Sequence, residues 1–202
     1  MASAAILIGG QATRFGGQDK GALIVEGRPI VDRQIRELSQ VTDDILIVGQ
    51  RASPMPSAGT PAIIIRHVAD GARRQGPLAG LDAALFHGRD DVVLVVACDM
   101  PFITADLLAH LLSRVGGADA VVPKTDRGYH PLCAVYTRAC QPAIRRRLAA
   151  GQLAVRRLLD DVRVQVVEAS EIEAFGDPRR LLANVNTPAE YEALRAPQGH
   201  EV

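Results

Sequence analysis

The sequence feature that most restricts the fold is a run of six apolar residues, Val92–Ala97. A strand with one face in water alternates apolar and polar residues, whereas this run is apolar at every position. Such a strand is covered on both faces, which is typical of a parallel sheet with helices on either side. The run therefore predicts a central strand of an α/β fold.

Other apolar and β-branched runs recur along the chain, with helical patterns between them. The predicted strands are Ala4–Ile8, Ile45–Val48, Ala62–Arg66, Val92–Ala97, Ala120–Val122, Leu132–Tyr136 and Val162–Val167. Apolar residues three or four positions apart predict helices at Leu78/Leu81/Leu85, at Leu107/Leu108/Leu111/Leu112/Val115 behind an N-cap at Thr104, and at Cys140/Ile144/Leu148. A capping box at Thr187–Glu190 predicts a terminal helix to about Arg195. This alternation predicts a doubly wound α/β fold with a mostly parallel sheet.

The chain shows no sign of a division into two domains. It has 202 residues and contains no Pro/Ser-rich linker, internal repeat or block of charge. We therefore expect one domain over residues 1–195, followed by a short C-terminal tail over 196–202.

Composition excludes several function classes. Lys and Arg number 23 and Asp and Glu also number 23, so no net charge draws the chain to nucleic acid or to an anionic membrane. Aromatic residues make up 3% and Trp is absent, which disfavours binding of single strands by base stacking. The sequence therefore predicts neither a nucleic-acid nor a membrane partner.

The cysteines and the N-terminal residues favour a cytoplasmic protein. Cys98, Cys133 and Cys140 are odd in number and form no C-x-x-C pair, so we expect three reduced thiols. The apolar stretch Ala4–Ile8 is too short for the core of a signal peptide, and no run approaches 18 apolar residues.

The end of the first predicted strand and the residues that follow it, Leu7–Lys20, form a segment that is rich in glycine and carries two cations. Four glycines within Gly9–Gly17 allow tight turns and let backbone N–H groups approach an anion. Arg14 and Lys20 add positive charge, and Arg grips a phosphate through two donors. The segment matches neither the Walker loop nor the dinucleotide-binding fingerprint. It predicts a phosphate site of another kind, with a plain surface loop as the alternative.

An aspartate follows the fully apolar strand, in Cys98-Asp99-Met100-Pro101. Because the carboxyl ends of parallel strands share one edge of a sheet, Asp99 is expected near the glycine-rich segment. A carboxylate beside a polyphosphate suits Mg²⁺, which takes few protein ligands and completes its shell with phosphate and water. A turn or N-cap role for Asp99 is the alternative.

Three further features are weaker. Gly76–Gly80, preceded by Arg73 and Arg74, opens a predicted helix and exposes backbone donors to a ligand, although a plain turn explains it as well. Asp70, after the third predicted strand, either reaches a ligand hydroxyl or closes a turn. Asn184 and Asn186, ahead of the terminal capping box, either bind a metal or polar substrate or satisfy loop backbone.

Together these motifs resemble the molybdenum cofactor guanylyltransferases, members of the GT-A-like nucleotidyltransferase superfamily, from Leu7 to Glu190. The similar segments, in family order, are Arg14–Lys20, Gly76–Gly80, Cys98–Pro101, His130–Leu132 and Asn184–Pro188. The resemblance implies a Rossmann-like nucleotidyltransferase fold. It also implies transfer of GMP from GTP to the terminal phosphate of molybdopterin, with release of pyrophosphate.

The resemblance also implies the roles of individual residues. GTP would be bound by Leu7, Ile8, Gly9, Gly10, Lys20, Asp70, Gly76, Pro77, Leu78, Gly80 and Asp99. Arg14, Lys20 and Asp99 would be catalytic, Asp99 would hold Mg²⁺ (or Mn²⁺ in its place), and Asn184 and Asn186 would face molybdopterin. Transient contacts with proteins that make or receive the cofactor are implied as well.

The chain departs from the family pattern in one place that concerns the nucleotide. Relatives often place an Asn at the end of the second strand, where this chain has Val48-Gly49-Gln50. Two other functions stay open: a cytidylyl- or uridylyltransferase acting on a related cofactor or sugar phosphate, and a nucleotide-binding regulatory protein without turnover.

Overall fold

The structure, a computed structural model, describes residues 1–8, 20–49, 63–69, 76–187 and 190–191, with the backbone alone at Lys20. In these residues the strands are β1 (Ser3–Ile8), β2 (Ile24–Val25), β3 (Arg28–Pro29), β4 (Asp44–Gly49), β5 (Ile64–Val68), β6 (Val92–Ala97), β7 (Ala120–Thr125), β8 (Gly128–Tyr129), β9 (Cys133–Thr137) and β10 (Val164–Glu168). The helices are α1 (Ile30–Leu38), α2 (Gly76–His87), α3 (Ala105–Ser113), α4 (Gln141–Ala149), α5 (Val155–Leu158), α6 (Ala169–Ile172) and α7 (Pro178–Leu181).

The main sheet has the strand order β10-β7-β9-β6-β1-β4-β5, with β8 paired to β7. The pairs β1–β4, β1–β6, β4–β5 and β7–β10 are parallel. Strand β9 is antiparallel to β6 and β7, and the short β8 is antiparallel to β7. The prediction of a mostly parallel α/β sheet is therefore confirmed, and β9, together with the short β8, makes the sheet mixed.

Strand β6 lies near the middle of the sheet and is buried on both faces, as its apolar run predicts. Leu94 and Val96 join the core on the side of α1 and α3. Val93 and Val95 join the core on the side of α2 and α4. All four side chains are at most 1% exposed. The two helical layers thus follow directly from a strand without a polar position.

The other predicted strands are present with bounds shifted by one to a few residues; β5, for example, covers Ile64–Val68 where Ala62–Arg66 was expected. The three predicted helices correspond to α2, α3 and α4, and α3 ends at Ser113, before Val115. Thr104 occupies the N-cap position of α3, but its hydroxyl makes no capping bond. The Ala105 N–H is capped instead by Glu37 of α1, at 3.0 Å.

The predicted capping box at Thr187–Glu190 is confirmed by its hydrogen bonds, whereas residues 192–195 of the terminal helix expected behind it lie outside the described residues. The Glu190 N–H donates to the Thr187 hydroxyl at 3.2 Å, and the Glu190 carboxylate accepts from the Thr187 N–H at 3.0 Å. The tail over 196–202 lies outside the described residues.

A charged network ties together the amino ends of β1, β4 and β5. The fully buried Asp44 carboxylate accepts a hydrogen bond from Ser3 and binds the Arg66 guanidinium at 2.7 Å. Burial alone would raise the pKa of Asp44, but the hydrogen bonds from Ser3, Arg66 and the Arg89 N–H, with the Arg66 charge, lower it. At this end of the sheet the negative charge of Asp44 is therefore neutralised by Arg66.

Two further findings concern membrane-spanning helices and the state of the cysteines. Among the described residues, no helix is long and apolar enough to cross a membrane. Cys133 and Cys140 are free thiols, as the lack of a C-x-x-C pair predicts, and all three cysteines, Cys98 included, are buried.

Candidate active site

The end of β1 and the turn after β6 lie side by side at the carboxyl edge of the sheet. Leu7 pairs with Ala97 in the parallel ladder, and the Cys98 N–H donates to the Leu7 carbonyl oxygen at 3.1 Å. The turn that carries Asp99 therefore begins beside the strand that leads into the glycine-rich segment. This is the adjacency that parallel strand order requires of the two motifs.

Asp99 is joined to the asparagine motif through both its side chain and its backbone. The Asn184 side-chain amide donates to a carboxylate oxygen of Asp99 at 2.8 Å, and the Val185 N–H donates to the Asp99 carbonyl at 2.8 Å. Val185 is fully buried, whereas Asn184 and Asn186 on either side are half-buried. This alternation of burial keeps the side chains of Asn184 and Asn186 at the surface of the site. The hydrogen bond from Asn184 to Asp99 joins two motifs that are 85 residues apart in the sequence.

The amino end of α2 reaches the same place. A methyl group added at Gly80 would lie 3.4 Å from the Leu7 side chain, so the first turn of α2 packs against the end of β1. Gly76, with φ +65°, and Pro77 are exposed, whereas the Leu78 side chain is fully buried in the core. Any contact of Leu78 with a ligand would therefore be made by its backbone.

Gly49, at the end of β4, is required by close packing against β1. It pairs with Ile8, has φ +131°, and a Cβ atom there would lie 1.8 Å from the Ile8 carbonyl oxygen. Sequence reasoning noted Gly49 only as part of a departure from the family pattern. Its role is to let the end of β4 lie directly against Ile8, the residue before Gly9 in the glycine-rich segment.

Several predicted site residues fall outside the described part of the chain. These are Gly9, Gly10, Arg14, Asp70 and, where relatives carry Asn, Gln50. Lys20 begins a short 3-10 turn, Lys20–Ala22, and only its backbone is described.

A small apolar cluster, which the sequence did not predict, packs next to the residues of the site. Its buried members are Leu23, Val25, Ile30, Phe102 and Val185. The Arg180 guanidinium lies over the Phe102 ring, 4.1 Å from its centroid, and the Tyr191 hydroxyl bonds to both the N–H and the carbonyl of Ile24. The cluster joins the segment after Lys20 to the turn after β6 and to the asparagine motif.

The His130–Leu132 motif has a structural role. The His130 ring nitrogen Nε2 lies 2.8 Å from the Thr125 hydroxyl, and burial, followed by the Arg127 charge, lowers the pKa of His130. The Leu132 carbonyl accepts a hydrogen bond from the Ala97 N–H at 2.8 Å, directly before Cys98. The motif therefore fixes the end of β6 from the side of β9.

The donors described at this edge fit Mg²⁺. No group of three His, Cys, Asp or Glu residues suited to a metal occurs in the described ranges. The half-buried carboxylate of Asp99 lies at the strand ends and accepts a hydrogen bond from the neutral amide of Asn184. Magnesium bound through a single carboxylate, with phosphate oxygens and water as its other ligands, needs no more than this.

Residues 4–167 match the family model described as "MobA-like NTP transferase domain", which covers well over half of the chain. The chain belongs to the MobA-like NTP transferase family. The resemblance noted in its motifs is thus confirmed.

A relative of this MobA-like chain, the molybdenum cofactor guanylyltransferase of Desulfosudis oleivorans, is 30% identical over 192 residues, which is 95% of this chain and 93% of the relative. The crystal structure of molybdopterin-guanine dinucleotide biosynthesis protein A from Archaeoglobus fulgidus is similar, with a TM-score of 0.78 at 24% identity over 96% of this chain and 97% of the other. The 2-C-methyl-D-erythritol 4-phosphate cytidylyltransferase of Thermus thermophilus has the same fold, with a TM-score of 0.69 at 17% identity over 97% and 98% of the two chains.

Proposed function

We propose that this MobA-like protein is a molybdenum cofactor guanylyltransferase, which transfers GMP from GTP to the terminal phosphate of molybdopterin and releases pyrophosphate. The observation that carries the proposal is the meeting of the β1 end, the first turn of α2 and the Asp99–Asn184 pair at one edge of the sheet. The names of full-length relatives supply the substrate class.

In this proposal the carboxyl edge of the sheet holds both substrates. The backbone of Leu7, Ile8, Gly9 and Gly10 faces the GTP phosphates, which Arg14 and Lys20 neutralise. Asp70 contacts the nucleoside, and the base lies against Gly76, Pro77, Leu78 and Gly80. Asn184 and Asn186 face molybdopterin.

Asp99 is proposed to hold Mg²⁺, or Mn²⁺ in its place. A divalent ion bound there supplies positive charge to the α-phosphate and to the departing pyrophosphate. The Asn184 amide, which donates to one Asp99 oxygen, restricts rotation of the carboxylate and so orients it.

The proposed reaction needs no general base from the protein. A phosphate monoester has a second pKa of about 6 and is already a dianionic nucleophile near neutral pH. The chain therefore contributes by positioning the two phosphates in line and by neutralising charge, which are the main terms in phosphoryl transfer.

Replacement of Asp99 tests the metal role directly. We expect Asp99→Ala to abolish transfer while GTP affinity stays within about tenfold, because most ground-state contacts come from elsewhere. The control is Asp91→Ala, since Asp91 precedes the same strand at the opposite edge and its side chain is 84% exposed. An undiminished transfer rate in Asp99→Ala would remove this residue from the mechanism.

Lys20→Ala tests the glycine-rich segment. Loss of a phosphate-binding cation should weaken GTP binding and slow transfer together. Full activity in this variant would show that the segment does not bind the triphosphate.

Competition between nucleotides tests the base. We expect GTP to displace a labelled guanine nucleotide more effectively than CTP or UTP when Mg²⁺ is present. Preference for CTP by about tenfold, equivalent to about 1.4 kcal/mol, would move the protein to the cytidylyltransferases, which share this fold.

The proposal also places the reaction in the cytoplasm, with short-lived contacts to proteins that deliver or receive the cofactor. Cell fractionation followed by cross-linking during cofactor synthesis tests both points, and recovery of the protein outside the cytoplasmic fraction would contradict the first.

A further inference from the structure

Gln34 of α1 is a buried polar residue next to the proposed metal carboxylate. Among the described residues three polar or charged side chains are buried: Ser3, Gln34 and Asp44. Ser3 and Asp44 bond to each other at the amino edge of the sheet. Gln34 lies instead beneath the carboxyl edge, where Asp99 is found.

The Gln34 amide connects the two ends of the turn that carries Asp99. Its Nε2 donates to the Ala97 carbonyl at 2.7 Å and to the Met100 carbonyl at 3.0 Å. These carbonyls flank Cys98 and Asp99, so one rigid NH₂ group fixes the span of the turn. Both neighbours are acceptors, which also settles which side of the amide carries nitrogen.

The neighbouring contacts hold the same turn. Arg33, also on α1, donates to the Pro101 carbonyl at 3.0 Å. The Met100 N–H reaches the Ala97 carbonyl only at 3.3 Å, a long bond that would not define the turn by itself. Gln34 therefore supplies the two shorter hydrogen bonds across the turn.

This arrangement carries a cost in stability. The Gln34 oxygen Oε1 is buried and has no hydrogen-bond partner within the described part of the chain. A buried acceptor without a partner is unfavourable, and an apolar side chain of the same length would remove it, but would also take the Gln34 donor from the Ala97 and Met100 carbonyls. What glutamine contributes at this position is therefore the two hydrogen bonds to the turn rather than packing of the core.

We propose that Gln34 is a positioning residue, which fixes the backbone on both sides of Asp99 and so aims the carboxylate at the divalent ion. The inference rests on the proposed function, because it takes Asp99 as the metal ligand. Gln34 touches no substrate; it acts through the Ala97–Met100 turn.

The test compares Gln34→Met with Leu38→Met. Methionine has the length of glutamine without its donors, and Leu38 is fully buried on the same helix one turn further along. Each purified variant is titrated with Mn²⁺ in the presence of GTP, and free Mn²⁺ is measured by electron paramagnetic resonance. Guanylyl transfer and thermal unfolding are measured on the same samples.

We expect Gln34→Met to weaken Mn²⁺ binding and slow transfer by about 10- to 100-fold, the usual effect of removing a residue that orients a metal ligand. Its unfolding midpoint should lie below that of Leu38→Met, because the Ala97 and Met100 carbonyls lose the Gln34 donor, whereas GTP binding without metal should not change. Gln34→Glu, which offers at most one donor in nearly the same shape, should also weaken Mn²⁺ binding, so it serves if Gln34→Met does not fold.

Two results would overturn the inference, and they differ from each other. Normal Mn²⁺ binding and transfer in Gln34→Met, with both lost in Asp99→Ala, would reject the positioning role and leave the proposed function standing. Normal Mn²⁺ binding in Asp99→Ala would reject the metal role of Asp99, and the role of Gln34 with it.

Discussion

Substitution of Gly49 by alanine tests the claim that β4 must lie directly against the start of the glycine-rich segment. The new Cβ atom would lie 1.8 Å from the Ile8 carbonyl oxygen, where even a tight contact is 3.0 Å, so the strands must separate by roughly 1.2 Å. The backbone at Gly49 has φ +131°, a conformation that costs a residue with a side chain about 1–3 kcal/mol. Loss of the last hydrogen bond of the β1–β4 ladder adds about 1 kcal/mol.

Together these terms predict a loss of about 3 kcal/mol, a large part of the ~5–15 kcal/mol that stabilises a typical domain. For a chain of this size each kcal/mol corresponds to about 2–4 °C in the unfolding midpoint, so the midpoint should fall by about 10 °C. GTP affinity should fall as well, because Ile8 leads into the segment that binds the triphosphate in the proposed function.

Gly176→Ala is the matched control. Gly176 has nearly the same backbone angle, φ +135°, but the nearest atom to a Cβ placed there is a Leu181 methyl carbon at 3.5 Å, an ordinary contact. This variant therefore measures the conformational cost without the clash. If Gly49→Ala loses no more stability than Gly176→Ala in denaturant unfolding, the close approach of β4 to Ile8 is not what requires glycine.

Three further predictions concern stability, nucleotide affinity and thiol reactivity. Gly80→Ala should raise the unfolding free energy by about 0.5–1 kcal/mol, because its Cβ makes an ordinary contact with the buried Leu7 side chain, and calorimetry should show unchanged GTP affinity, since the added methyl group meets the core. Since the pKa of Asp44 is lowered in the folded state, its stabilisation is present above about pH 4 and is lost as pH falls through the lower folded pKa; Asp44→Asn should flatten this acid limb. Burial raises the pKa of Cys133 and of Cys140 to about 12, so neither thiol should react with an aromatic disulfide reagent at pH 8 until the protein unfolds.

The sequence predicted those features that depend on local pattern. Apolar runs located the strands of the main sheet, and the end of the longest run placed Asp99 at the carboxyl edge, because parallel strands finish on the same side. The two-residue strands β2, β3 and β8 escaped prediction, since two residues carry no periodicity.

Features that depend on contacts between distant residues could not be predicted in this way. The buried face of α1 is Ile30, Gln34 and Leu38, and a glutamine in the middle of that stripe hides the helical pattern. The bond from Asn184 to Asp99 spans 85 residues, and the need for glycine at position 49 appears only when β4 is laid against Ile8. In each case the feature depends on residues that lie far apart in the sequence and meet only in the folded chain.

The two edges of the sheet differ in the partners that they give to their carboxylates. At the amino edge Asp44 is fully buried and paired with Arg66, so a cation of the chain itself neutralises it. At the carboxyl edge Asp99 is half-buried and accepts a hydrogen bond from the neutral amide of Asn184. A hydrogen bond of this kind orients a metal ligand without supplying a charge of its own, which is the arrangement expected if Asp99 holds the divalent ion of the proposed function.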